Sequence, residues 1–151
     1  MSFEARVVIL NYQGEGLLPQ CLPSVVEAAR AAKTPTVVTV LDNLSTDGSE
    51  LYVHNHFPEV EFVKAAQNLV LCSYNDYLRT MEEPVAVLLN NDIRVGRDCI
   101  DPLMEKFMED PQAFLVAPRV MSFDGKAVEA VDTRFRMRGG NAVDQRPLSR
   151  I

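Results

Sequence analysis

Short β-branched apolar runs alternate with segments of helical periodicity along most of this chain, and three of those runs stop at a polar cluster. Val7-Val8-Ile9-Leu10 stops at Asn11-Tyr12-Gln13-Gly14, Thr36 to Leu41 at Asp42-Asn43, and Pro84 to Leu89 at Asn90-Asn91-Asp92. Runs this short and this apolar read as strands buried on both faces, the pattern of a parallel sheet. Between the first two, Leu17, Leu18, Cys21, Leu22, Val25, Val26 and Ala29 recur at helical spacing and form one apolar stripe. Pro19 suits the first turn of that helix, whereas Pro23 is expected to kink or restart it.

The alternation continues. Leu44-Ser45-Thr46-Asp47-Gly48-Ser49 is a turn and cap cluster, with Asp47 as helix-cap candidate, and a second helix should run through about His56. Glu61 to Ala65 is expected as a third strand, and Ser73 to about Met81 as a third helix. Asp98 to Met108 reads as a helix and Phe114 to Ala117 as the next strand. Strands alternating with helices imply βαβ units, right-handed crossovers and an α/β fold with a mostly parallel central sheet. After Pro118 the pattern changes: Val120 to Phe123, Asp124-Gly125 and Ala127 to Val131 predict a C-terminal β-hairpin with a type I′ turn.

With 151 residues the chain suffices for one domain. Its longest uncharged apolar run, Val85 to Leu89, is strand-sized, so no membrane span is predicted. No charged segment followed by an apolar one opens the sequence, so no secretory signal is expected. A net charge of -6 argues against nucleic acid as partner, because Lys and Arg neutralising phosphates dominate that affinity. It leaves room for a small phosphorylated ligand. Cys21, Cys72 and Cys99 match no metal or disulfide spacing and read as small thiols of a reducing cytosol. His54 and His56, two apart, read as surface residues.

Open α/β sheets bind ligands at the carboxyl ends of their strands, near a topological switch point. The alternation brings the three polar clusters to that edge. Asp42 can accept hydrogen bonds from a base N–H or a ribose hydroxyl; equally, it can cap the following turn. Asp92 suits a hard divalent cation, since Mg²⁺ takes one or two carboxylates plus substrate phosphates, with Asn90 as a neutral oxygen donor. The alternative there is a polar turn closing a strand. A dinucleotide fingerprint is excluded, because Pro19 occupies the third glycine position after Gly14 and Gly16, and no Gly-Lys-Ser/Thr of a P-loop occurs. Arg134, Arg136 and Arg138 alternate with Phe135 and Met137, as in a strand with one solvated charged face. The sharper alternative is a diphosphate clamp with Gly139-Gly140 as a hinge.

Val7 to Tyr12, Val40 to Ser49 and Leu88 to Asp92, in that order, resemble the inverting glycosyltransferase family 2 of the GT-A fold, over residues 6 to 131. The spelling Asn90-Asn91-Asp92 is similar to its rhamnosyltransferase-like branch. The resemblance implies a three-layer, Rossmann-like sandwich and transfer of a sugar from a UDP- or dTDP-sugar to a glycan or lipid-linked acceptor. It implies that Asn11 and Tyr12 line the nucleotide pocket, that Asp42 binds the base, and that Asn68 lies on the loop beside the nucleotide. Asn90 and Asp92 would form the metal motif, with Asp92 ligating Mn²⁺ or Mg²⁺ as a Lewis acid on the diphosphate. It further implies a cytoplasmic location, at most peripheral to the inner face of a membrane through the acceptor.

Two departures from the family pattern stand out. The run Asn68-Leu69-Val70-Leu71-Cys72-Ser73 lacks the glycine that family members place there, and Val70 would hinder close backbone approach to a ligand. No general base is matched, so the acceptor-binding part is expected beyond these residues, and the surface it would cover suggests self-association. Two rivals remain. A sugar-phosphate nucleotidylyltransferase would carry cations in its glycine-rich loop, and Asn11 to Gly16 has none. A non-catalytic module that kept the fold is the other.

Overall fold

The computed structural model describes residues 4–128 and the backbone of 134–138 and 141–145. The chain divides into two units, residues 1–115 and 116–151. The first contains β1 (Ala5–Asn11), α1 (Leu18–Ala31), β2 (Thr36–Asp42), α2 (Ser49–His56), β3 (Glu61–Lys64), a 3₁₀ turn (Val70–Cys72), α3 (Ser73–Leu78), β4 (Val85–Asn90) and α4 (Ile100–Glu109). Its four strands form one sheet in the order β3-β2-β1-β4. All three pairings are parallel, so the expected α/β architecture is present.

Strand alternation sends successive side chains to opposite faces, which sorts the core into two layers. Ala5, Val7 and Ile9 of β1 meet Leu18, Leu22, Val25 and Val26 of α1, Val53 of α2, and Ile100 and Met104 of α4. Val8 and Leu10, on the other face, meet Leu41 of β2 and Tyr74 of α3. The result is helix, sheet and helix in three layers. Each fully buried Leu or Val contributes about 1.5–3 kcal/mol, which makes this packing the dominant stabilising term.

At the amino end of the sheet, Arg6 projects to the α3 face and ties four segments together. Its Nε and Nη2 donate to the two carboxylate oxygens of Glu83 at 2.9 and 2.7 Å. Nη1 donates to Thr39 Oγ1 at 2.7 Å and also meets Glu61. Only 13% of the Arg6 side chain and 10% of Glu83 are exposed. The hydrogen bond from Arg6 holds the Glu83 carboxyl below its ordinary value.

Several elements differ from the sequence reading. Helix α1 runs through Pro23 without restarting, because the ring meets only the first helical turn while Val25, Val26 and Ala28 beyond it are buried in the core. Asp47 is not the N-cap of α2; Gly48 is, and Asp47 bonds the Ser49 N–H from one residue further out. The run Phe114–Ala117 is not a strand, and Phe114 is 95% exposed. A strand needs a partner for its backbone groups, and apolar residues alone do not supply one. β4 consequently forms the edge of the described sheet, with Leu88 half exposed.

In the second unit, Met121 and Val128 make an antiparallel bridge, and the Ser122 N–H bonds to the Ala127 carbonyl at 2.7 Å. The turn between them is not type I′. That type needs positive φ at both central residues, and of Asp124 and Gly125 only Gly125 has it, at 71°. Asp124 instead accepts hydrogen bonds from Ser122 Oγ and the Lys126 N–H, which closes a longer loop. Residues 129–131 of the expected hairpin lie outside the described residues. β5 (Arg134–Arg138) and β6 (Asn141–Gln145) pair antiparallel, so the alternating arginine segment is a strand. The clamp and hinge readings of its arginine side chains and of Gly139-Gly140 fall outside what is described.

Candidate functional site

β1 leads to β2 and β3 on one side, and the chain then crosses back to place β4 on the other side of β1. The topological switch therefore lies between β1 and β4. Register aligns the strand ends: Asn11 pairs with Asp42, and Leu10 with Asn90. The three polar clusters thus share one edge, as the sequence implied.

Within that edge the clusters behave differently. Asn11 is fully buried, and its Nδ2 donates to Asp42 Oδ1 at 2.8 Å and to Ser45 Oγ at 3.3 Å. Asp42 is 1% exposed and also accepts the Ser45 hydroxyl at 2.5 Å and the Ser45 N–H at 2.8 Å. Capping of the following turn, one of its two sequence readings, is present. Asn91 closes the set from the other side of the switch, donating from Nδ2 to Asn11 Oδ1 at 2.8 Å.

The loops after β1 and β2 are zipped to each other above this core. The Gln13 N–H bonds Ser45 Oγ at 2.9 Å, and the Glu15 N–H bonds Asp47 Oδ2 at 2.8 Å. The Gly14 N–H reaches Ser49 Oγ at 3.2 Å. Gly14 has no room for a side chain: a Cβ there would sit 1.9 Å from Asn11 Oδ1 and 2.5 Å from Asn91 Nδ2. The Ser-Thr-Asp-Gly-Ser segment is thereby explained as loop-to-loop hydrogen bonding.

Asn43, next to Asp42, is 2% exposed. Its Nδ2 donates to the Val70 carbonyl at 3.1 Å, while its Oδ1 is buried without a hydrogen-bond partner among the described residues. Buried acceptors are normally matched, so this atom marks a place for a donor. Tyr12, also assigned to the pocket by resemblance, is exposed beside it. Asn68 is exposed too, and its Oδ1 accepts the Val70 N–H at 3.0 Å. Val70, where the family places glycine, has a φ of 55°. The backbone has kept a glycine-like conformation under a β-branched residue, which is strained.

After β4, Asn90 and Asp92 both face solvent. The Asp92 carboxylate lies near enough to α1 to help raise the Cys21 thiol, which burial pushes up first and the Arg94 charge opposes. Tyr74 backs this strand end from below. Its hydroxyl donates to the Leu89 carbonyl at 2.6 Å, and burial pushes the phenol up to about 12.

Among the described residues no three His, Cys, Asp or Glu side chains come together as a metal cluster. A lone exposed carboxylate with a neighbouring amide oxygen does fit a hard cation, provided that most of its oxygen ligands come from a bound diphosphate. Two surface hollows lie at opposite ends of the sheet. One of about 390 Å³ lies at the amino end of the sheet, lined by Ala31, Arg97 and Asp101, away from these residues. The other, about 240 Å³, lies beside the loop after β3 and is lined by Leu41, Lys64, Gln67, Ser73 and Tyr77.

The sequence reading placed Asn43 and Asn91 in the polar clusters and Ser45 in the turn, but gave none of the three a role of its own. No strand parity could have picked out Asn91, because β4 ends at Asn90 and Asn91 lies in the turn that follows. Nothing in the sequence separates Asn43 from Asp42, and both are buried; the number of hydrogen-bond partners is what separates them.

An open, three-layer α/β domain with a polar ligand edge is the class that this fold and site define. Over residues 6–149 the sequence matches glycosyl transferase family 2, and the chain belongs to that family. No curated protein matches it. Among solved structures, S. aureus TarS 1–349 is similar with a TM-score of 0.59 at 18% identity, over 71% of this chain and 33% of that one. TarS has also been solved in complex with UDP and with UDP-GlcNAc. The mannosyltransferase PcManGT from Pyrobaculum calidifontis, in complex with GDP-Man and Mn²⁺, gives a TM-score of 0.59 at 22% identity, over 72% and 33%. These likenesses establish the GT-A fold. The chain spans about one third of the length of these structures.

Proposed function

We propose that this chain carries the nucleotide-sugar-binding part of a glycosyltransferase that moves a sugar from a UDP- or dTDP-sugar to a hydroxyl of a glycan or lipid-linked acceptor, with inversion. The observation that carries the reading is the convergence of the Asn11–Tyr12, Asp42–Asn43 and Asn90–Asp92 ends on either side of the β1–β4 switch. Family membership and the nucleotide-sugar complexes of the similar structures support it.

In this reading the residues fall into two groups. Asn11 and Asp42 hold the edge together from within, and Tyr12, Asn43 and Asn68 present the base side of the pocket. Asn90 and Asp92 hold Mn²⁺ or Mg²⁺ together with the donor's phosphates, where the cation offsets charge on the departing nucleoside diphosphate. The single carboxylate implies that metal and nucleotide bind as one unit. The acceptor-binding part and the general base lie outside these residues, as the 33% coverage of the similar structures suggests. We further place the reaction on the cytoplasmic side, with self-association through the apolar surface that the acceptor-binding part would cover.

Calorimetric titration of UDP and dTDP, each with and without Mn²⁺, tests this in wild type and Asp92→Ala. Metal-dependent binding that is lost in Asp92→Ala is the expected outcome. Tight Mn²⁺ binding without nucleotide would contradict the shared-ligand site. Equal nucleotide binding by both proteins would remove Asp92 from it.

A further inference from the structure

Between β3 and α3 the chain forms a strap, Asn68–Cys72, that crosses the carboxyl end of β2. Its internal bonds are local: the Val70 N–H to Asn68 Oδ1, the Cys72 N–H to the Leu69 carbonyl, and the Leu69 N–H to Ser73 Oγ at its base. Its hydrogen bond to the sheet, among the described residues, comes from one side chain, Asn43 Nδ2 to the Val70 carbonyl. Val70 and Leu71 are exposed, so little apolar burial holds the strap down. The hollow of about 240 Å³ is lined by Gln67 and Ser73, which flank the strap.

The orientation of the Asn43 amide is fixed by chemistry. A carbonyl oxygen can be met only by the NH₂ group, so Nδ2 faces Val70 and Oδ1 is left over. That Oδ1 is buried without a hydrogen-bond partner among the described residues. One side chain therefore carries both the strap's tether and a buried acceptor that no described residue meets, and the two ends of an amide polarise each other. We propose that Asn43 is a latch that couples order in the strap to occupancy of the nucleotide site. A ligand N–H that donates to Oδ1, such as the imide of a uracil or thymine base, strengthens the Nδ2 donor and tightens the strap. This inference rests on the donor-site reading above.

Hydrogen exchange followed by NMR tests the two halves separately, with UDP and Mn²⁺ as the probe. In the free protein, Asn43→Asp at pH 7 replaces the donor with an acceptor facing the Val70 carbonyl. It keeps the backbone bond from the Asn43 N–H to the Asn11 carbonyl at 2.8 Å. The Leu69, Val70 and Cys72 amides should exchange about tenfold faster than in wild type, the size of one lost hydrogen bond, while the β2 amides stay protected. If Asn43→Asp disturbs β2 as well, the wild-type Asn43 side-chain NH₂ signal takes its place: one proton should be exchange-protected in the free protein. UDP should then slow strap exchange in wild type several-fold and leave it unaltered in Asn43→Asp. An unaltered strap in free Asn43→Asp, or an unprotected side-chain proton, overturns the latch whether or not nucleotide binds. UDP binding without slower strap exchange overturns the coupling and spares the donor site. Absence of UDP binding to folded wild type overturns both.

Discussion

The polar strand ends on the two sides of the β1–β4 switch are spelled alike and work differently. After β1 and β2, Asn11, Asp42 and Ser45 are bonded among themselves, and Asn11 and Asp42 have almost no exposed surface. After β4, Asn90 and Asp92 face solvent. Polar residues at a sheet edge thus divide into those that hold the edge in shape and those left for a ligand, and burial together with internal hydrogen bonding separates them. Asn91 links the halves, since its amide reaches across to Asn11.

Replacing one carboxylate from each side breaks the comparison most sharply. Asp42→Ala leaves buried donors on Asn11 and Ser45 without an acceptor, and should cost about 2–4 kcal/mol of stability. Thermal unfolding of a chain this size should shift down by roughly 4–16 °C. Asp92→Ala should stay within about 0.5 kcal/mol of wild type, because an exposed side chain is removed, while abolishing metal-dependent nucleotide binding. Equal loss of stability in both would sink the division. Gly14→Ala comes next, at about 1–3 kcal/mol, because a methyl group would overlap Asn11 Oδ1 and push on Asn91. Chemical denaturation measures it, and an unchanged midpoint would mean that the two loops slide apart freely.

Much of the fold was legible because the signals were redundant. Val7 to Leu10 and Thr36 to Leu41 are apolar, β-branched and bounded by polar stops, so strand identity did not depend on one cue. The Phe114–Ala117 run had the apolar cue alone, and whether a neighbour pairs with it is not written in the run itself. The site was legible as a place, because parallel strands must end at one edge, but not as a set of roles. Asp42 and Asn43 are adjacent and chemically similar. Which of them finds three internal donors and which keeps an unmatched oxygen depends on Ser45 and Val70, brought near by loops whose course no periodicity encodes.

The opposite end of the sheet sharpens the contrast through pH. The hydrogen bond from Arg6 depresses the Glu83 carboxyl below its ordinary 4.5. A depressed carboxylate contributes stability above that value and loses it as pH falls through the folded one. Wild type should therefore lose stability below about pH 4.5 more steeply than Glu83→Gln, and the two unfolding curves should converge there. At neutral pH the variant should be less stable by about 1.5–3 kcal/mol, the value of a hydrogen bond to a charged group. Parallel curves across the acid range would show that Arg6 and Glu83 are not coupled in solution.

The smallest effect is the most informative about the strap. A left-handed conformation costs a residue with a Cβ roughly 1–2 kcal/mol, and Val70 is held there at a φ of 55°. Val70→Gly removes that strain but gives the unfolded chain more freedom, which offsets about 0.5–1 kcal/mol of the gain. The net result should be a slight stabilisation, about 0.5 kcal/mol, despite the loss of an aliphatic side chain. Because Val70 is two-thirds exposed, little burial is lost with it. A clear destabilisation in chemical denaturation would mean that Val70 packs against something in solution and that the strap is held by more than Asn43. Stabilisation with tighter UDP binding would show instead that the glycine-like backbone belongs to the site, and that the valine is what sets this chain apart from the family pattern.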